Sequence, residues 1–276
     1  MSSISIDNLI GLIIGLIAYI ILYIGKGIQK YAIEGLKVDK SIKSSGIWIF
    51  GTILTAIYMF IQWAALLFAP INIIAPIEGI GLIVLLIFSY YILKEDISRF
   101  ELIGVGGVIA GVVLITLFNY NPSEISFTDF NFPLFIIFSI SILGVEGVLI
   151  IISKLNKYKA AGLIIGTCAG SFMAFQTAAK RVTAIPDPTI SIIFTVITLV
   201  TAVATLGITQ FAFTKADANV VVPCFTSASI ILATIVGFFT LNEAINLVQI
   251  AGFVLVIIGV ILLTGFKETI QEEIEE

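Results

Sequence analysis

The chain has 276 residues, of which 59% are hydrophobic and only 12% charged, about half the ~25% charged content of an average soluble domain. So few charges cannot cover a soluble fold of this size, which excludes a soluble enzyme, a disordered chain and a nucleic-acid binder. The formal net charge is −4, and the absence of His removes imidazole metal sites, Ser–His–Asp or Cys–His catalysis and the usual pH switch.

A helix needs ~20 apolar residues to cross ~30 Å of hydrocarbon. Nine such runs follow one another, at roughly 8–27, 47–69, 71–93, 101–118, 132–152, 160–179, 189–214, 217–240 and 246–265. Pro70, Asn121 with Pro122, Pro133, Pro186 with Pro188, and Asn242 separate them. The first run is not a secretory signal, because no Lys or Arg precedes it and Lys26 and Lys30 follow it. The charged, amphipathic stretch 31–45 reads as a cytoplasmic loop or an interfacial helix. Cys168 and Cys224 sit in apolar runs and read as small core residues. With the N-terminus outside, twelve basic residues fall on the cytoplasmic side and only two, Lys180 and Arg181, on the outer side. The positive-inside rule therefore predicts nine transmembrane helices, the N-terminus outside and the C-terminus in the cytoplasm, in the cytoplasmic membrane.

The chain repeats itself. GLIIG at 11–15 recurs at 162–166, QWA at 62–64 matches QFA at 210–212, and APINIIAP at 69–76 matches ADANVVVP at 216–223. Asn72 then aligns with Asn219, Pro76 with Pro223, Glu95 with Glu243, Gly104 with Gly252 and Gly111 with Gly259. Matched spans lie five apart, an odd number, so the two copies cross the membrane in opposite directions. The expected organisation is a first repeat of helices 1–4 over 1–118, a loop and linking helix 5 over 119–158, an inverted repeat of helices 6–9 over 159–266, and an acidic cytoplasmic tail over 267–276. Two such halves can rock around one central site and open it to either side.

The block KADANVVVPCF…TLNEAINLVQIAGFVLVIIGVILL at 215–263 resembles the EamA-type repeat of the drug/metabolite transporter superfamily. APINIIAPIEG…LKEDISRFELIGVGGVIAGVVLI at 69–115 carries the same pattern. Nine helices with an outside N-terminus, FAP at 68–70, a Pro six residues later and the Lys-rich end of helix 1 resemble the NIPA-type magnesium transporter branch. The chain departs from that branch at two places. The branch's Gly–Glu pair in helix 2 would fall at Tyr58 and Met59, and Glu78 stands where the branch has a small residue.

Two acids lie well inside spans, Glu78 in helix 3 and Glu146 in helix 5. Counting along the helices puts them about 10 Å and about 20 Å below the outer surface. A charge in hydrocarbon costs at least ~2.5–3.5 kcal/mol, so each must face a cavity, find a partner or hold a proton. Either could bind a cationic solute or cycle a coupling proton, or serve as protonated glue between helices. Pro76 and Pro223 remove a backbone donor and free a carbonyl one turn earlier. Asn72 and Asn219 could satisfy that carbonyl or touch solute, and Gln62 and Gln210 could bond between helices or line the path. Glu95 and Glu243 end helices 3 and 8, where each is expected to cap the first turn of the next helix. In the resembled superfamily that acid is a hallmark. Asp217 reads as a cap, and Lys180 and Arg181 as snorkelling residues at a helix end. Gly11 and Gly15, Gly104, Gly107 and Gly111, and Gly162, Gly166 and Gly170 form small faces for close packing. The same faces would also serve a homodimer.

No Walker motif, dinucleotide fingerprint or Cys/His metal set is present, so no cofactor and no enzymatic activity are expected. The reading is a secondary transporter in the lipid bilayer moving a small metabolite or ion by alternating access. Glu78 would be the charged group of the path, with Gln62, Asn72, Gln210 and Asn219 as polar lining. A NIPA-like magnesium or divalent-cation transporter, with Glu78 and Glu146 sharing the ion, is the alternative. A non-transporting membrane scaffold, packed dry, is the second.

Overall fold

The computed structural model describes residues 6–38, 42–93, 98–118, 125–158, 160–216 and 218–264. Among the described residues there are nine α-helices and no strand: α1 (Ile6–Val38), α2 (Ile42–Phe68), α3 (Ile71–Phe88), α4 (Arg99–Leu117), α5 (Phe132–Leu155), α6 (Ala161–Val182), α7 (Pro188–Lys215), α8 (Ala218–Thr240) and α9 (Leu247–Thr264). A π-helical stretch, Ser89–Leu93, extends α3.

Local sequence sets most of the starts. Pro70 precedes α3. Ser98 caps α4 by accepting from Glu101 N–H at 3.2 Å, while the Glu101 carboxylate accepts from Ser98 N–H at 2.6 Å. Asn131 caps α5 and Asp187 caps α7, each with a Pro in the first turn. Asn246 and Gln249 bond each other's backbone N–H at the start of α9.

Seven helices are long and apolar enough to cross a membrane, and the described apolar parts of α8 and α9, Cys224–Thr240 and Leu247–Leu262, are shorter. The boundaries follow the apolar runs except in α1. That helix does not stop after its apolar run but continues to Val38, and α2 begins at Ile42, so the stretch 31–45, expected as a cytoplasmic loop or an interfacial helix, is helical at both ends. Residues 39–41 lie outside the described residues. Lys26 accordingly does not follow the helix. It sits inside it and is buried.

Packing joins α1 to α2 and α3, α6 to α7 and α8, and α4 to α9, while α3 meets α8 in the middle. α6 and α3 are the most buried of the spans, and α5 and α7 turn most of their surface outward. Ile140, Leu155, Ile192 and Val203 stand on that outward surface, which suits acyl chains and would be an aggregation site in water. The α4–α9 contact is backbone against backbone. A Cβ on Gly111 would meet Gly252 O at 2.5 Å, and one on Gly259 would meet Gly104 O at 2.7 Å. Gly170 is pressed as closely on Phe225 O of α8, at 2.2 Å for an added Cβ. These small faces are therefore used within the chain.

Candidate functional site

A cavity of about 270 Å3 opens between α1, α2, α6, α7 and α8. Its wall is mostly apolar, with Leu22, Met59, Met173, Leu206 and Phe225 among its residues. Lys26, Gln29 and Gln210 supply polar ends, and Thr52, Thr55, Thr205 and Thr209 supply hydroxyls. These residues belong to the C-terminal half of α1, the N-terminal half of α2 and the C-terminal half of α7, so the cavity occupies one end of the bundle. Gln210 accepts from Trp48 Nε1 at 3.1 Å and donates to Gln29 Oε1 at 3.2 Å. Gln29 donates in turn to Thr52 Oγ1 at 3.1 Å.

Among the described residues, Lys26 is the one charged residue in this wall. Its ammonium stands 3.4 Å from the Phe225 ring centroid and 4.8 Å from that of Tyr23, a desolvated cation–π arrangement. Behind Tyr23 lies Glu78, fully buried and outside the cavity wall. Ser229 Oγ donates to Glu78 Oε2 at 2.7 Å, and Tyr23 OH lies 3.5 Å from Oε1. Tyr23 OH is also 2.5 Å from Thr226 Oγ1. Glu78 thus faces the α1–α8 contact, where Lys26 and Lys180 are the cations whose field it feels.

Gln62 is buried beside it and fully used. Its amide donates to Tyr19 OH at 2.8 Å and to Thr177 Oγ1 at 3.3 Å, and its oxygen accepts from Lys180 Nζ at 2.6 Å. Tyr58, at one of the two positions of the missing Gly–Glu pair, lends its ring face to Lys180, 5.4 Å from the ammonium.

The opposite end of the bundle is closed. Arg181 donates from Nη1 to Leu66 O at 2.8 Å, and its Nε lies 3.7 Å from Glu243 Oε1. Glu243 accepts from Ile71 N–H at 2.9 Å and from Asn72 N–H at 3.0 Å. A carboxylate there faces the positive end of the α3 dipole. Burial pushes the Glu243 carboxyl above its ordinary value, while Arg181 and the two amides pull it back. Trp63 Nε1 donates to Thr183 Oγ1 at 2.7 Å in the same layer.

Three expectations are corrected here. Lys180 and Arg181 do not snorkel to a surface, being 0% and 2% exposed. Internal acceptors hold both, so burial is compensated. Glu243 caps α3, across the fold, rather than the first turn of α9, where Asn246 and Gln249 already satisfy the donors. Asn72 does not reach a freed carbonyl, because the carbonyl that Pro76 leaves without its donor is Asn72's own. Its side-chain amide instead donates to Ala244 O at 3.3 Å.

Glu146 lies elsewhere, on α5, where it accepts from Ser171 Oγ of α6. It is not in the cavity wall. Pro76 is carried inside a continuous α3. Asn219 and Pro223 fall in α8, and Glu95 and Asp217 are outside the described residues altogether. The side chains of all four lie outside the described residues. Of the expected site residues, Gln210 reaches the cavity wall, and Glu78 and Gln62 stand one layer behind it. Lys26 and Gln29 were not singled out as site residues by sequence. Their signal was a stripe of Tyr19, Tyr23, Lys26 and Gln29, which recurs on one helical face.

The fold and this site define a polytopic membrane protein built around a polar-ended internal cavity. The sequence profile of the magnesium transporter NIPA family matches residues 6–269, and the chain belongs to that family, a branch of the drug/metabolite transporter superfamily. It is similar to the probable magnesium transporter NIPA9 of Arabidopsis thaliana, 24% identical over 257 residues, covering 86% of this chain and 74% of that protein. It is also similar to NIPA-like protein 2 of Mus musculus, 29% identical over 120 residues, covering 42% of this chain and 31% of that protein. No solved structure gives a significant match.

Proposed function

We propose that the protein is a secondary transporter of the cytoplasmic membrane working by alternating access, with the 270 Å3 cavity as its solute site. The observation that carries this reading is the asymmetry of the bundle, hollow at one end and sealed at the other by Arg181, Glu243 and the start of α3. The contacts fit two inverted halves of four helices joined by α5. Gln62 of α2 bonds Lys180 of α6, and its repeat partner Gln210 of α7 bonds Gln29 of α1. Lys180 and Gln29 are themselves partners at the 151-residue offset of Gly15 and Gly166. With Lys26, Lys180 and Arg181 assigned to the interior, eleven basic residues at helix ends, in connections or in the tail remain on the cytoplasmic side of a nine-helix topology and none on the other. The hollow end then faces the cytoplasm. Glu78 is the internal counter-charge of the two lysines rather than a group on the solute's path.

The test is side-specific labelling together with flux. In a cysteine-free background, Thr205→Cys should react with an impermeant maleimide from the cytoplasmic side. Leu66→Cys, at the sealed end, should be protected from both sides. Equal protection of Thr205→Cys from both sides would leave a dry scaffold. In proteoliposomes, Glu78→Gln should slow uptake by unbalancing Lys26 and Lys180, and wild-type rates in that variant would remove Glu78 from the mechanism.

Magnesium as cargo is a second reading, supported by the family and by the name of the Arabidopsis relative. Magnesium is held by carboxylates and retained waters. Among the described residues no three Asp, Glu, Cys or His side chains gather, and Glu78 and Glu146 bond to different partners. Magnesium influx into dye-loaded proteoliposomes tests this directly.

A further inference from the structure

Among the described residues, the charges around the cavity do not balance. Two buried ammoniums, Lys26 and Lys180, share one nearby carboxylate, Glu78, and that carboxylate is engaged by Ser229 and Tyr23. Lys180 has an oxygen acceptor in Gln62. Lys26 is 6% exposed, lines the cavity, and meets two aromatic faces where an acceptor would be expected. A buried ammonium gains most from a charged oxygen acceptor placed directly against it. Glu243 is already matched with Arg181, and Glu146 is turned to Ser171, so neither carboxylate supplies one.

We infer that the cavity takes a small amphipathic anion, with a carboxylate-type head on Lys26 and an apolar body against Met59, Met173, Leu206 and Phe225. This rests on the cavity being the solute site. Gln29 and Gln210 line the same cavity, and the second N–H of each amide is open to the remaining lone pairs of the head group. The apolar wall and the volume suit a body of one ring or a short aliphatic chain. A free divalent cation would meet Lys26 as its first charge and be repelled, with no carboxylate among the wall's described residues to offset it. Tyr58 lines the cavity and faces Lys180, and Glu78 is the carboxylate that offsets one of the two lysines.

The experiment is binding to the purified full-length protein in detergent, read by thermal shift and by titration calorimetry. Two isosteric sets are used: phenylacetate, phenylacetamide and phenethylammonium, and hexanoate, hexanamide and hexylammonium. Magnesium chloride is run beside them at matched ionic strength. The anion of at least one set should stabilise the protein, and its amide and ammonium counterparts should not. Lys26→Gln should weaken anion binding about tenfold or more, the loss of a charge-assisted hydrogen bond. Lys26→Arg should retain most of it. The melting temperatures of the unliganded variants report whether each is folded. Binding of the amide or ammonium as tight as the anion, stabilisation by magnesium that displaces the anion, wild-type anion affinity in Lys26→Gln, or no binding by either anion would each overturn the inference. Flux separates it from the transport reading. Anion binding without uptake would sink transport and leave the site, whereas uptake indifferent to solute charge would sink the site and leave transport.

Discussion

Removing the Glu243 carboxylate strands three buried groups at once. Ile71 and Asn72 lose the acceptor for their N–H groups, at 2.9 and 3.0 Å, and Arg181 loses its counter-ion at 3.7 Å. A hydrogen bond to a charged group is worth ~1.5–3 kcal/mol, and a carboxylate at a helix N-terminus adds ~0.3–2 kcal/mol. Breaking a buried ion pair from one side costs ~3–5 kcal/mol. These terms describe the same atoms and overlap, so Glu243→Ala should destabilise by about 3–5 kcal/mol rather than by their sum. Glu243→Gln keeps one oxygen acceptor and should cost about half as much. Arg181→Met placed on Glu243→Ala should recover part of the loss, because the uncompensated cation goes with it. The assay is reversible unfolding in mixed micelles of lipid and sodium dodecyl sulfate. A cost below about 1 kcal/mol for Glu243→Ala, the range of an exposed ion pair, would refute the trans-cap and with it the sealed end.

Gly81→Ala should be destabilising by about 1–3 kcal/mol, since its Cβ would come within 2.2 Å of the Tyr23 ring. Its melting temperature checks this, and the Lys26 environment should be perturbed with it. Gly170→Ala should cost at least as much, because the clash at 2.2 Å is with a backbone carbonyl that cannot rotate away. Gly144→Ala on α5 meets open space and should be neutral under the same melting assay. Gln62→Leu should cost about 2–5 kcal/mol by leaving the Lys180 ammonium buried without its oxygen acceptor. The double variant with Lys180→Met should lie well above that single variant in unfolding free energy, and strict additivity would count against the contact.

The helices were legible because hydrocarbon length and Pro or Asn breakers are properties of consecutive residues. The glycine faces were legible for the same reason, although only the coordinates show that Gly111 spends its face on Gly252. The charges were misread because a Lys near the end of an apolar run looks the same whether it meets water or a cavity. Lys26 was assigned to a loop since α1's apolarity fades around it, yet the helix continues on an amphipathic stripe. Lys180 and Arg181 read as snorkelling at a helix end, and the acceptors that bury them, Gln62 and Glu243, lie far off in sequence. Glu243 was correctly read as a cap, but the helix it caps begins 172 residues away, a pairing that no local spacing encodes. Glu78 is legible as an acid inside a span, but its partners Tyr23 and Ser229 come from helices on either side of it in the chain, which no local spacing encodes.

A cap supplied from another part of the chain also changes how this end of the molecule can come apart. Ordinarily a helix's first turn frays alone, at little cost, and its amides exchange with solvent before the rest. Here the first turn of α3, the last turn of α6 and the α8–α9 connection hang on one carboxylate. None of them can open without the others losing a partner. Their amides should therefore exchange together, as one cooperative unit at a depth where three separate fraying ends would otherwise be found.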